Sequence, residues 1–170
     1  MDGMNDDLET LAAELGAALL ARGEWLAVAE SCTGGWLAQA VTAIAGSSAW
    51  FDRGFVTYSN AAKMELLDVP ATTLESRGAV SEATARAMAQ GALAHSRADW
   101  AVGITGIAGP GGGTPDKPVG AVCFAWAAKD GGCEAQTRHF NGDRAAVREQ
   151  SVRHALQGLL RRLAAKPLLA

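Results

Sequence analysis

Cysteine and histidine are scarce in this 170-residue chain, with three of each. Cys32, Cys123 and Cys133 are odd in number and lack the paired spacing of metal ligands, which argues against a disulfide framework and against a zinc site. With only His95, His139 and His154 available, a histidine-based catalytic site has few candidates. Long apolar runs are missing as well. None approaches the ~20 residues that a membrane-spanning helix needs, so no membrane partner is expected. Positive charge is in short supply, with 15 Lys and Arg against 18 Asp and Glu and a formal charge of −3. That balance speaks against a nucleic-acid partner. The nearest thing to a basic stripe, Arg144, Arg148, Arg153, Arg161 and Arg162, is interrupted by Asp143 and Glu149 and reads as a solvated helix face. The first seven residues are acidic, unlike a secretory or transit segment, and a cytoplasmic location follows as the default expectation.

What is present suits one globular domain over residues 1–170, with 49% hydrophobic residues and no visible repeat or linker. Leu8, Leu11, Ala12, Leu15, Ala18 and Leu19 recur at helical spacing, which predicts an amphipathic helix over 6–22 closed by Gly23. Strands are expected over 25–29, 51–58, 100–105, 119–127 and 134–140. Helices are expected over 36–44, over 61–67 with Pro70 as the stop, from a Ser81 cap to about 96, and after a cap at Asp143. Asp130, Gly131 and Gly132 mark a hairpin turn that reverses one strand. This order predicts a three-layer α/β/α domain with a mixed, mostly parallel sheet of about five strands. Open α/β sheets bind ligands at the carboxyl ends of their strands. Three exits thereby become candidates together: Ser31, the stretch from Tyr58 to Lys63, and the stretch from Thr105 to Gly113.

The first exit, Glu30-Ser31-Cys32-Thr33-Gly34-Gly35, joins a strand to a helix. Free N–H groups at a helix start favour an anion, and glycines let a ligand approach the backbone. Ser31 and Cys32 compete as nucleophile, because a cysteine at a helix start has a lowered pKa, while helix cap and buried packing are the ordinary fates of the two residues. At the second exit, an N-cap at Asn60 would put Lys63 in the third helical position, where a cation opposes the helix dipole. Burial and the dipole would both lower its pKa, and a neutral lysine can act as base for a serine without histidine. A surface lysine on a helix that starts one residue earlier is the plain alternative. The third exit is rich in glycine but lacks Gly-Lys-Ser/Thr, so it is not a Walker A loop, although its N–H groups could cradle an anion.

Read as a set, the motifs Ala29-Glu30-Ser31-Cys32-Thr33-Gly34-Gly35, Gly54-Phe55-Val56-Thr57-Tyr58-Ser59-Asn60, Lys63, Gly78-Ala79-Val80-Ser81-Glu82, Gly103-Ile104-Thr105-Gly106-Ile107-Ala108-Gly109-Pro110, Lys117-Pro118-Val119-Gly120 and Phe140-Asn141-Gly142-Asp143-Arg144 closely resemble the CinA C-terminal domain family from about residue 8 to 163. The resemblance implies an α/β/α amidohydrolase that deamidates nicotinamide mononucleotide to nicotinate mononucleotide and ammonia. It implies no metal, no cofactor, a small-molecule nucleotide substrate and frequent homo-oligomers. It also implies catalytic roles for Ser31, Tyr58 and Lys63, with Ser31 attacking, Lys63 accepting the proton and Tyr58 orienting or relaying it. Oxyanion donors are expected around Thr33, Gly34 and Gly35, and substrate contacts at Ser48, Asn60, Thr105, Gly106, Gly109 and Arg144. The 5′-phosphate is expected against Ser48, the glycine loop or Arg144. A non-catalytic nucleotide-binding or regulatory module is the alternative.

Overall fold

The computed structural model describes residues 3–166; residues 1–2 and 167–170, the extreme ends of the domain expected over 1–170, lie outside the described residues. Five strands, β1 (Leu26–Glu30), β2 (Phe51–Val56), β3 (Trp100–Gly106), β4 (Ala121–Ala128) and β5 (Cys133–His139), form one sheet in the order β2-β1-β3-β4-β5. β1 pairs in parallel with β2 and β3, whereas β4 runs antiparallel to both β3 and β5. Four strands therefore point one way and β4 the other, as the hairpin signal implies. Among the described residues six α-helices flank the sheet: α1 (Gly3–Arg22), α2 (Trp36–Thr42), α3 (Asn60–Leu67), α4 (Ala71–Arg77), α5 (Glu82–Ala94) and α6 (Arg144–Ala165). Among the described residues no helix is long and apolar enough to cross a membrane.

Alternation along the strands decides which helix packs where. One sheet face carries the bulky Val28, Val102, Ile104, Val122, Phe124 and Trp126, which form a core with α1, α2 and α6. The other face carries Ala27, Ala29, Ala101, Ala125 and Ala127, against which α5 packs, with α3 and α4 lying against α5. Successive strand residues point to opposite faces, so this small-large alternation sets a different helix distance on each side. Gly103 takes the small-residue logic furthest: a Cβ there would lie 2.6 Å from the Ala85 carbonyl of α5.

Local chemistry fixes the helix starts. Ser59 accepts from the Ala62 N–H, Ser81 from Thr84 and Asp143 from Ala146, each satisfying an N–H that the helix leaves unpaired. α3 thus begins at Asn60, one residue earlier than expected, with Ser59 rather than Asn60 as its cap. It ends at Leu67, as expected, with Asp68 left-handed. Pro70 instead precedes α4, a helix that the sequence reading does not contain. A proline at a helix entrance is compatible with helix because its missing N–H would be unpaired there anyway.

Candidate active site

β1 ends in Glu30, and the Ser31 N–H still donates to the Ile104 carbonyl of β3 at 3.0 Å. Ser31 thereby leaves the sheet at the carboxyl ends of its parallel strands. The chain then turns tightly: Gly34 N–H donates to the Ser31 carbonyl and Trp36 N–H to that of Thr33, both at 3.0 Å. Gly34 and Gly35 take φ of 59° and 102°, a left-handed backbone that glycine adopts without a Cβ penalty. The anion cradle expected at the start of α2 is filled by the chain itself. Glu30 is fully buried, and its carboxylate accepts from the Thr33 hydroxyl at 2.6 Å, the Leu37 N–H at 2.8 Å and the Ala38 N–H at 3.0 Å. A substrate anion has no place there.

Lys63 reaches the same turn from α3. It is 1% exposed, and its Nζ lies 3.0 Å from Ser31 Oγ, 3.0 Å from the Thr57 carbonyl and 3.4 Å from the Tyr58 carbonyl. The plain alternative is half met, because the helix does start one residue early, but the lysine is not at the surface. Among the described residues no carboxylate pairs with it. Burial lowers its pKa, partly opposed by the nearby Cys32. As an ammonium Nζ donates to all three oxygens; in its neutral form it donates to the two carbonyls and accepts from the serine hydroxyl.

Cys32 behaves differently from the expectation for a cysteine at a helix start. Its thiol is pushed up to about 12, first by burial and then by the Glu30 carboxylate. The helix end that would have stabilised a thiolate is already occupied by Glu30, so the thiol stays protonated near neutral pH.

Ser31, Cys32, Tyr58, Asn60, Lys63, Thr105, Gly106, Gly109 and Arg144 line one cavity of ≈ 280 Å³, together with Ala79, Val80, Ile107 and Ala108. That volume is near the lower end for small-molecule pockets, which run from about 300 Å³ upward. The Thr105 hydroxyl donates to the Ala79 carbonyl at 2.7 Å and fixes the wall formed by the α4–α5 connection. At the rim, Arg144 donates to the Gly109 carbonyl and to the Tyr58 hydroxyl, both at 2.9 Å. Tyr58 is 61% exposed, and its phenol engages Arg144 rather than Ser31 or Lys63.

Thr33, Gly34, Gly35 and Ser48 do not line this cavity. Thr33 faces Glu30, Gly34 faces Arg148 and Gly35 faces Val56. Ser48 lies in a 3-10 turn, Ser47–Ala49, that leads into β2. Parallel pairing sets Phe51 beside Leu26, so this turn sits at the amino ends of the strands, opposite the cavity.

Two residues outside the expected set hold the nucleophile turn: Glu30 from inside and Arg148 from α6. Arg148 donates from Nε to the Cys32 carbonyl at 3.0 Å and from Nη2 to the Thr33 carbonyl at 3.1 Å. Its available signal is helical spacing, since Arg148 lies one turn beyond Arg144 and therefore on the same face.

The CinA C-terminal domain family model matches residues 8–163. A protein of Enterobacter agglomerans named nicotinamide-nucleotide amidohydrolase PncC is 58% identical over 154 residues, covering 91% of this chain and 94% of its own. The protein of that name from Escherichia coli K12 is 54% identical over 155 residues, with the same coverage. Among solved structures, the competence/damage inducible protein CihA of Agrobacterium tumefaciens is 48% identical, with a TM-score of 0.89 over 93% of this chain and 96% of its own. A CinA superfamily protein of Klebsiella pneumoniae is 45% identical, with a TM-score of 0.90 over 94% and 99%.

Proposed function

This chain belongs to the CinA C-terminal domain family, and from that premise we propose that it hydrolyses the carboxamide of nicotinamide mononucleotide, giving nicotinate mononucleotide and ammonia as a step in pyridine nucleotide recycling. The observation that carries this reading is the buried Ser31–Lys63 pair at 3.0 Å, opening into a cavity sized for one small molecule.

In this mechanism Ser31 Oγ attacks the carboxamide carbon while the lone pair of Lys63 Nζ takes the serine proton. The carbonyl π electrons move to oxygen, and the tetrahedral oxyanion meets the Cys32 N–H, the backbone donor that directly follows the nucleophile. A donor of this kind is worth about 3 kcal/mol in a transition state. Lys63, now an ammonium held by the Thr57 and Tyr58 carbonyls, returns its proton to the amide nitrogen as the C–N bond breaks. Ammonia leaves and an ester on Ser31 remains. Water attacks this acyl-enzyme with Lys63 again as base, and the product carboxylate departs as Ser31 recovers its proton. Arg144, with the N–H groups of the neighbouring glycine loop, is placed to take the 5′-phosphate at the rim. Tyr58 acts there through Arg144 instead of relaying the proton.

Incubating the purified protein with nicotinamide mononucleotide and measuring ammonia tests the reading. The expected result is steady release by the wild type and none above background by Ser31→Ala. Binding by calorimetry without ammonia would instead favour the regulatory module.

A further inference from the structure

Arg148 touches the nucleophile turn but not the cavity. Its guanidinium bonds two successive carbonyls, those of Cys32 and Thr33, and stacks over Trp36 at 5.6 Å. It lies so close that a Cβ on Gly34 would come within 3.3 Å of Nη2. The group that the glycine admits to the backbone is therefore this arginine and not a ligand. On the opposite side of the turn, Glu30 binds the Thr33 hydroxyl and the first turn of α2.

We propose that Arg148 is a positioning residue for the reaction. Resting on the assignment of Ser31 as nucleophile, the inference is that the Arg148 fork and the Glu30 carboxylate hold the turn as a rigid staple. The staple keeps Ser31 Oγ at hydrogen-bonding distance from Lys63 Nζ. A planar trans peptide sets its C=O and N–H on opposite sides. Drawing the Cys32 carbonyl onto Arg148 therefore turns the Thr33 N–H away from the arginine and fixes the Cys32–Thr33 peptide plane, one residue after the serine. A planar fork can bond two carbonyls at once, whereas a lysine offers a single point charge. Misplacement of a reacting group by about 1 Å can cost about 100-fold in rate, so a loose turn should lower kcat and leave substrate affinity alone.

The test compares Arg148→Ala and Arg148→Lys with the wild type and Ser31→Ala, measuring kcat and KM for nicotinamide mononucleotide. Circular dichroism records the folded fraction. Arg148→Ala should lose about 10-fold to 100-fold in kcat with KM near the wild-type value. Arg148→Lys should recover part of that loss, and millimolar guanidinium should restore activity to Arg148→Ala without affecting the wild type. Three results would overturn the inference: a raised KM at unchanged kcat, a wild-type kcat, or a loss that follows the unfolded fraction and that guanidinium does not restore. Activity in Ser31→Ala would instead refute the nucleophile assignment, so the two failures are distinguishable.

Discussion

Two cavities of nearly equal volume lie at opposite ends of the sheet, ≈ 280 Å³ beside Ser31 and ≈ 270 Å³ beside Trp100 and Trp126. At the tryptophan end the charges are matched in pairs. Arg162 sits 3.0 Å from Glu134 and 3.9 Å over the Trp126 ring, and Lys166 pairs with Asp130. Cys133 lines that cavity with its thiol pushed up by burial. Beside it, His154 packs edge-on against Phe124, Trp126 and Phe140, with Nε2 2.9 Å from Gln136 Oε1. Burial, followed by the charges of Arg138, Arg161 and Arg162, pushes the imidazole down to about 4. Burial thus lowers the pKa of both Lys63 and His154. Only Lys63 has a hydroxyl within hydrogen-bonding reach and an opening in front of it. A depressed pKa alone marks a core residue; a depressed pKa beside a nucleophile and an opening marks a candidate site.

The largest effect that sharpens this contrast is on rate. Lys63→Met should lower kcat/KM for ammonia release by about 100-fold to 10,000-fold, the usual range for loss of a general base. His154→Gln should leave it unchanged. The Lys63 variant should be equally inactive on nicotinamide riboside, which lacks the phosphate. Recovery on that substrate would make Lys63 a phosphate ligand. A smaller effect concerns stability. Folded His154 titrates near 4, against 6.5 for the free side chain, so the unfolded chain binds the extra proton between those values. The His154 contribution is therefore present above pH 6.5 and is lost as pH falls towards 4. Urea midpoints measured from pH 7 to pH 4.5 should drop more steeply in the wild type than in His154→Gln. Equal slopes would break the comparison at its structural end.

Much of the fold was legible because it rests on local rules. The Asp130-Gly131-Gly132 turn, the Asp143 cap and the strand-ending Ser31 each follow from residue chemistry within a few positions. The depth of Lys63 was not legible, since it depends on how α3 docks against α5. Glu30 read as part of a motif, yet its carboxylate folds back on α2 and takes the anion place reserved for a ligand. Ser48 was misplaced because sequence distance from Ser31 says nothing of the crossover, which carries the chain back across the sheet. The arginine stripe read as solvated, but Arg148 bonds the nucleophile turn and Arg162 covers Trp126. α4 escaped notice because Thr72, Thr73 and Ser76 are mediocre helix formers and Pro70 looked like an end.

The proposed reaction passes through a covalent intermediate on Ser31 formed with Lys63 as base. Rapid acid quench during turnover of nicotinamide mononucleotide, followed by peptide mass mapping, tests it most directly. The nicotinate mononucleotide acyl group is expected on Ser31 in the wild type and in Cys32→Ala, with no adduct in Lys63→Met. An adduct on Cys32, or full turnover through Lys63→Met, would contradict it.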